Sequence, residues 1–183
     1  DAGLLPVTPA PPHRSAAGDL VDLGLVGEPA GRERPDLVDD LLGRGYTPVV
    51  ASIGSGPGGQ LFNVNADTMA AALAVRLEAA ALLLAGTTAG VLDEAGGTIA
   101  RLTGAEADRL ITGGQATAGM IAKLRAGLDA RRQGVPAVAI VDGRSPEPFA
   151  DAARGLAGAG RTQLGEAATG SPQKEIASSH VSR

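Results

Sequence analysis

Two asparagines and an aspartate stand where an alternating sequence pattern gives way to a helical one. Residues Phe62–Asp67 read Phe-Asn-Val-Asn-Ala-Asp. Asn65 can cap the helix that follows, and Asp67 can complement the positive end of the helix dipole. The chemical alternative is that Asn63 and Asn65 direct polar groups from a strand end into a cleft, where Asp67 holds a lysine ammonium. The residues by themselves leave both interpretations open.

Lys123, one of two lysines in the chain, lies at the edge of a predicted buried helix face. The helix is expected over Thr117–Gln133, and its buried stripe consists of Met120, Ile121, Leu124, Gly127 and Leu128. A lysine at such a boundary usually lays its methylenes on apolar surface and keeps its ammonium in water. The functional alternative is an ammonium that faces a transferring phosphoryl group, where positioned positive charge stabilises the transition state.

Asp142 and Arg144 follow a predicted apolar strand over Pro136–Val141. They can form a local turn, because aspartate commonly bonds its own backbone in turns. They can also border a ligand site, since ligands of open α/β sheets lie beyond the carboxyl ends of the strands. The loop Gly86–Gly90 leaves another predicted strand in the same way. The glycine-rich segment Gly54–Gly59 instead leads into a strand, which predicts a hairpin turn and not a phosphate-binding loop.

Both histidines are poorly placed for catalysis or metal binding. His13 follows two prolines, and His180 lies in a polar tail. No Ser-His-Asp or metal-ligand constellation can be assembled from them, and no metal site is predicted in the chain. Phosphoryl transfer, which needs mainly positioning and charge neutralisation from the protein, is compatible with the side chains present.

Composition narrows the class of protein further. The 183 residues carry a formal net charge of −4, which offers no basic surface for nucleic acid. The chain contains no cysteine, so disulfides and thiolate chemistry are excluded. No apolar run approaches the roughly 20 residues of a membrane helix. These features favour a cytoplasmic protein without nucleic-acid or membrane partners, and the absence of a starting methionine favours a piece of something longer.

Apolar periodicity predicts an alternation of strands and helices. Strands are expected at Gly3–Pro9, Asp19–Gly27, Thr47–Ile53, Gln60–Val64, Ala81–Leu84 and Pro136–Val141, with a loop at Pro11–His13. Helices are expected at Pro35–Gly43, Ala66–Ala80, Thr103–Ile111, Thr117–Gln133 and Pro148–Leu156. This order predicts an α/β fold, a three-layer αβα sandwich with a mostly parallel central sheet. The polar residues 165–183 are predicted to form a disordered tail.

Six segments, taken in order, resemble the nucleotide-binding half of acetylglutamate kinases, which belong to the amino acid kinase superfamily. These segments are Val21–Glu28, Gly45–Val50, Asn63–Asp67, Gly90–Asp93, Gly119–Lys123 and Ile140–Arg144. The resemblance identifies residues 1–164 as the nucleotide-binding lobe of an amino acid kinase fold. It implies that ATP, accompanied by Mg²⁺, phosphorylates the side-chain carboxylate of N-acetyl-L-glutamate on the route to arginine.

The resemblance also implies roles for individual residues. Lys123 would stabilise the transition state on the ATP side, and Asp67 would organise the catalytic lysines. Asn63 would contact the acyl-amino acid, with Asn65 beside it. The nucleotide would be flanked by Thr87, Thr88, Ala89, Gly90, Val91, Leu92, Gln115, Ala116 and Thr117.

Two departures from the family pattern modify these expectations. The family commonly has an acidic residue where this chain has Thr87, which predicts weaker nucleotide binding. The family's lysine-bearing first strand, its His-Gly-Gly-Gly loop and a substrate-binding arginine all precede the point where this chain begins. We therefore expect a fragment or a truncated relative with negligible activity alone, and a homodimer for the full enzyme.

Two other functions stay open from the sequence. A kinase acting on a carrier-bound aminoadipate belongs to the same class, and the segment Asn63–Asp67 favours acetylglutamate over it only mildly. A non-catalytic nucleotide-binding domain, left after loss of the substrate lobe, belongs to a different class. An upstream reading frame that encodes the family's missing lysine and glycine motifs would favour the enzyme.

Overall fold

The computed structural model describes residues 4–15, 18–154 and 160–165. The strands are β1 (Val7–Pro9), β2 (His13–Arg14), β3 (Leu20–Val21), β4 (Gly27–Pro29), β5 (Ile53–Ser55), β6 (Leu61–Asn63), β7 (Ala81–Gly86), β8 (Arg101–Leu102), β9 (Ala137–Asp142) and β10 (Arg161–Leu164). The helices are α1 (Asp36–Gly43), α2 (Ala66–Arg76), α3 (Gly104–Thr112), α4 (Ala118–Arg132) and α5 (Pro146–Ala153). The predicted tail lies outside the described residues except for Gly165, whose N–H donates to the Leu102 carbonyl at 3.2 Å.

A four-stranded sheet in the order β7-β9-β10-β8 forms the centre of the fold. β7 runs parallel to β9, with Leu84 opposite Ile140, and β10 runs parallel to β8. β10 is antiparallel to β9, with Thr162 opposite Ile140. The predicted mostly parallel sheet is confirmed, although the sequence analysis did not predict β10.

Helices cover both faces of this sheet, because its strands carry apolar side chains on both sides. Leu84 and Ile140 project from one face into the main core, where α2 and α4 pack. Leu83 and Val141 lie in a separate cluster on the other face, where α5 packs on β7 and β9. Gly127 brings α4 close to the sheet, since a Cβ there would lie 2.5 Å from a leucine methyl of β10. The three layers that the sequence predicts are therefore confirmed.

The amino-terminal part of the chain forms three short antiparallel pairs instead of further long strands. The pairs are β1 with β4, β2 with β3, and β5 with β6. Single parallel bridges join the first pair to the third, from Pro6 to Ser55 and from Val26 to Asn63. The turn between β5 and β6 is a short 3₁₀ segment at Pro57–Gly59, which confirms the hairpin predicted for the glycine-rich stretch. A small apolar cluster of Leu5, Val7, Phe62, Val64 and Met69 lies beneath these pairs.

The prediction of a buried strand over Thr47–Ile53 is wrong. Only Ile53 belongs to a strand, and Val49 is 97% exposed. A continuous apolar run indicates a strand only where neighbours cover both of its faces. No strand in the described part of the chain pairs with residues 47–51, so Val49 projects into solvent and Val50 is only partly buried, against the small apolar cluster.

The predicted strand over Asp19–Gly27 is also wrong in its middle. The Gly24 N–H donates to the Asp22 carboxylate at 2.8 Å, and Gly24 has a φ of +64°. This local turn separates β3 from β4, as expected for aspartate followed closely by glycine. His13, predicted to end a loop, begins β2.

The predicted helices are present with shifted ends. α2 ends at Arg76 instead of Ala80, and Glu78 adopts a φ of +51° just beyond it. α3 begins with the predicted capping box, in which Thr103 and Glu106 satisfy each other's backbone N–H groups. α5 begins at Pro146, two residues earlier than predicted, and the last two residues predicted for it lie outside the described part.

Candidate active site

Asn65 caps α2, as the simpler interpretation of the sequence predicted. Its Oδ1 accepts hydrogen bonds from the backbone N–H groups of Asp67 at 3.0 Å and Thr68 at 3.1 Å. The cap uses the side-chain oxygen, which leaves the amide nitrogen to donate elsewhere. Asn63 is exposed at the end of β6, where its backbone N–H donates to the Leu25 carbonyl. The two asparagines therefore lie on either side of the strand–helix junction.

Asp67 and Lys123, the two residues predicted to be catalytic, form an ion pair across the fold. The Lys123 Nζ lies 2.8 Å from Asp67 Oδ1, although the residues are 56 positions apart in the chain. Their side chains are only 20% and 17% exposed. Water screens such a half-buried pair less than a surface pair, so the ammonium is held in one place.

This ion pair lies at the carboxyl edge of the central sheet. A Cβ built on Gly86, the last residue of β7, would lie 3.9 Å from Lys123 Cε. The Gly143 N–H, from the end of the neighbouring strand β9, donates to the Gly86 carbonyl at 2.9 Å. The exits of β7 and β9 are thus joined beside the lysine, at the edge where ligands of open α/β sheets bind.

Asp142 and Arg144 form a local turn, which was the simpler of the two interpretations of the sequence. The Asp142 carboxylate accepts the Arg144 backbone N–H at 3.0 Å and its guanidinium at 2.7 and 2.9 Å. Asp142 is buried, and Arg144 is largely exposed. The hydrogen bonds from the Arg144 side chain and backbone lower the pKa of Asp142 from 3.8 to about 2. The pair therefore keeps its charges over the whole physiological range and braces the exit of β9.

A pocket of about 230 Å³ opens between the loop after β7 and the start of α4. Six of the nine residues predicted to flank a nucleotide line it: Thr88, Val91, Leu92, Gln115, Ala116 and Thr117. Thr87, Ala89 and Gly90 belong to the same loop but do not line the pocket. Asp93, Leu110 and Met120 complete the lining, although the sequence analysis did not select them.

The loop after β7 is fixed by a buried threonine that the sequence analysis missed. Thr162 of β10 is fully buried, and its hydroxyl accepts the Val91 N–H at 2.8 Å and donates to the Ile99 carbonyl at 2.6 Å. Gly90, with a φ of +80°, passes so close that a Cβ would lie 2.6 Å from the Thr162 hydroxyl. The alternating pattern of Arg161–Leu164, which reads Arg-Thr-Gln-Leu, was the sequence feature that could have predicted β10.

The amino-terminal end of α4 faces the same pocket. The Thr117 hydroxyl caps the helix by accepting the Met120 N–H at 3.4 Å, and both residues line the pocket. The free N–H groups of a first helical turn attract negatively charged ligands. Gln115, which lines the pocket, donates through its side chain to Glu94. The pocket thus combines apolar walls with a helix end suited to an anion.

A larger groove of about 720 Å³ runs along α2. Asn65 lines one part of it, and Arg76 lines another. The Arg76 guanidinium donates to the carbonyls of Ala30 at 2.7 Å and Gly31 at 3.1 Å. Burial lowers the pKa of Arg76, and the nearby Glu33 partly offsets that effect. Arg76 therefore fastens the segment after β4 to the end of α2.

Two negative observations apply to the described residues. No helix among them is long and apolar enough to cross a membrane. Within residues 4–15, 18–154 and 160–165, no three side chains of His, Cys, Asp or Glu group together as a metal site. The layered fold, the pocket and the half-buried ion pair at the sheet edge are together typical of α/β proteins that bind small molecules.

Comparisons with known proteins agree with this class. Residues 9–142 match the amino acid kinase family. An acetylglutamate kinase of Caulobacter sp. (strain K31) is 48% identical over 129 residues, which cover 69% of this chain and 42% of that protein. An N-acetylglutamate synthase from Neisseria gonorrhoeae, solved with coenzyme A and L-arginine, superposes with a TM-score of 0.74 at 22% identity, over 90% of this chain and 37% of that chain. A Giardia lamblia carbamate kinase bound to AMP-PNP superposes with a TM-score of 0.55 at 15% identity, over 84% of this chain and 51% of that chain.

The chain belongs to the amino acid kinase family, because the family match covers most of its residues. It spans less than half the length of the curated acetylglutamate kinases that it matches. The more distant structural matches support the same fold. The match to the family agrees with the order of segments identified in the sequence.

Proposed function

We propose that this chain forms the ATP-binding portion of a kinase that phosphorylates the side-chain carboxylate of N-acetyl-L-glutamate. The observation that carries the proposal is the half-buried pair of Lys123 and Asp67 at the carboxyl edge of the sheet. Two further facts support it: the adjoining pocket, and the 48% identity to an acetylglutamate kinase over 129 residues.

α4 connects the ion pair to the pocket. Met120 lines the pocket, and Lys123 follows it by three residues on the same side of the helix. A nucleotide with its base in the pocket and its phosphates directed along the sheet edge would bring the terminal phosphate towards Lys123. The walls formed by Val91, Leu92 and Ala116 suit the flat apolar faces of a purine.

In this proposal Lys123 and Asp67 act at the step of phosphoryl transfer. A carboxylate oxygen of the acceptor attacks the terminal phosphorus of ATP, and the bond from that phosphorus to the bridging oxygen of ADP breaks. The Lys123 ammonium opposes the negative charge on the transferring group. Asp67 is a positioning residue, because its carboxylate holds that ammonium 2.8 Å away before the substrates arrive.

Mg²⁺ would arrive with the nucleotide and neutralise part of its phosphate charge. Mg²⁺ keeps several waters and needs only one or two carboxylates besides the phosphates, so the described residues do not conflict with it. Asn63 and the amide nitrogen of Asn65 are the polar groups that we assign to the acceptor. Thr87 stands where relatives commonly carry an acidic residue. We therefore expect the nucleotide to bind weakly.

A chimaera tests this function directly. The matched residues of the Caulobacter relative would be replaced by those of this chain, and ADP release would be measured with ATP, Mg²⁺ and N-acetyl-L-glutamate. We expect turnover that depends on the acceptor, while residues 1–183 alone bind ATP weakly and turn over negligibly. An inactive chimaera that folds normally and binds no ATP would contradict the proposal.

A non-catalytic nucleotide-binding domain is the second candidate, because the chain spans only 42% of the Caulobacter relative. Calorimetric titration with ATP separates the two functions when it accompanies the chimaera assay. ATP binding by a chimaera that shows no acceptor-dependent turnover would favour the non-catalytic domain. Aminoadipate on a carrier would be compared with N-acetyl-L-glutamate in the same assay.

A further inference from the structure

The exits of β7 and β9 each have a cation that is held by an aspartate. Lys123 lies beside Gly86 at the end of β7, where Asp67 binds its ammonium. Arg144 follows the end of β9, where Asp142 accepts hydrogen bonds from its guanidinium at 2.7 and 2.9 Å. The proposed reaction uses the first cation and gives no role to the second.

The register of the sheet places Asp142 on the face that α4 covers. Leu84 and Ile140 pair with each other, and both side chains lie in the main core on this face. Side chains alternate between the two faces along a strand, so the next pair but one, Gly86 with Asp142, returns to the same face. Arg144, which is bound to Asp142, is therefore held at the edge of the face on which the lysine of α4 lies.

Gly86 leaves open space beside that lysine. Apart from its chain neighbours, a Cβ built on Gly86 would meet no atom closer than 3.8 Å, and Lys123 Cε and the Thr88 backbone nitrogen would both lie at 3.9 Å. Within the described residues, the Thr88 N–H donates to no backbone carbonyl. The exit of β9 is one strand spacing away, about 4.8 Å. A phosphate group over Gly86 would thus lie within reach of both cations.

The Arg144 side chain keeps hydrogen-bond donors for such a ligand. A guanidinium has five N–H groups. Asp142 accepts one from Nε and one from Nη2, which leaves three. The side chain is 63% exposed, so these donors are accessible from solvent. Arginine binds phosphate oxygens well through its planar fork of N–H groups.

We propose that Arg144 binds the outer two phosphates of the nucleotide from the side of β9, while Lys123 opposes them from the side of α4. The inference rests on the proposed function, because it assigns a further ligand to the same nucleotide. Phosphoryl transfer requires charge neutralisation on the transferring and leaving groups, and a second cation would share that task. Asp142 is then a positioning residue, since it fixes the guanidinium that touches the phosphates.

Nucleotide titrations of residues 1–183 test the role of Arg144. Mg·ATP and AMP would be titrated separately, and binding would be followed by the amide NMR shifts of Leu92 and Ala116 in the pocket. We expect Arg144→Gln to weaken ATP binding about tenfold or more, because a charged hydrogen bond is lost. AMP lacks the outer phosphates, so its affinity should not change. Arg144→Lys keeps a cation but cannot make both bonds to Asp142, so its affinity for ATP should be intermediate.

Arg154→Gln is the matched control. Arg154 is also an exposed arginine near an aspartate, 3.7 Å from Asp151, but it follows the far end of α5. Its replacement should leave ATP binding unchanged. Equal ATP affinities for Arg144→Gln and Arg154→Gln, or equal losses of ATP and AMP affinity in Arg144→Gln, would overturn the inference and leave the proposed function standing. Absence of ATP binding by the unmodified chain would contradict the proposed function and this inference together.

Discussion

Apolar side chains are buried much more completely around the central sheet than in the amino-terminal part of the molecule. In the central sheet and its helices, Leu124, Ile140 and Leu164 are at most 2% exposed. In the amino-terminal pairs and the segment around α1, Leu20, Leu25 and Tyr46 are 59–66% exposed. The first region buries its apolar side chains within itself, whereas the second leaves many of its apolar side chains exposed to solvent.

The exposed apolar side chains are concentrated in the amino-terminal part of the described residues. The candidate site lies where the two regions meet, since Asp67 follows the β5–β6 hairpin and Lys123 belongs to the helix on the sheet. Lys123 therefore belongs to the well-packed region. Asp67 follows the poorly packed region directly along the chain.

Truncating the same residue type in each half should give the largest contrast in stability. Ile140→Ala, at a fully buried position, should lower the free energy of unfolding by about 2–5 kcal/mol. Ile53→Ala, at a position that is 48% exposed, should change it by about 0.5 kcal/mol or less. Chemical denaturation of the two variants measures both values. Equal losses would contradict the division into two regions.

Removing the hydroxyl of the buried threonine beneath the loop after β7 should have a smaller effect. Thr162→Val removes the acceptor for the Val91 N–H and the donor to the Ile99 carbonyl, which should cost about 1–3 kcal/mol. We also expect weaker ATP binding, because the loop loses its anchor. Thr98→Val serves as the control, since this exposed threonine also donates to the loop, at the Ala89 carbonyl. An unchanged loop in Thr162→Val would contradict the anchoring role.

The sequence predicted two kinds of feature in the site: local ones such as helix caps and turns, and those that follow from the order of the family-like segments. Asp67 and Lys123 are far apart in the chain, and the resemblance brought them together correctly. β10 escaped prediction because four residues with alternating polarity give a weak signal. The apolar run Thr47–Ile53 was misjudged because hydrophobicity reveals a preference for burial but not whether a neighbour is present to provide it.

The smallest predicted effect concerns pH. The pKa of Asp142 falls from 3.8 to about 2 on folding, because Arg144 stabilises its charged form. Its contribution to stability is therefore complete above pH 3.8 and is lost as the pH falls through about 2. Asp142→Asn should remove this part of the acid dependence and leave the rest unchanged. Denaturation at a series of pH values, for wild type and variant, measures the difference, and parallel curves would argue against the Arg144 bond.

The most direct measurement is the turnover rate of the chimaera with Lys123→Met. Arg125→Met is the matched control, because Arg125 is an exposed cation on the same helix. If Lys123 opposes charge on the transferring phosphoryl group, its loss should reduce kcat by about 10²-fold or more, while Arg125→Met stays near wild type. Equal rates for the two variants, with both folded, would contradict the claim that the Lys123–Asp67 pair forms the catalytic centre.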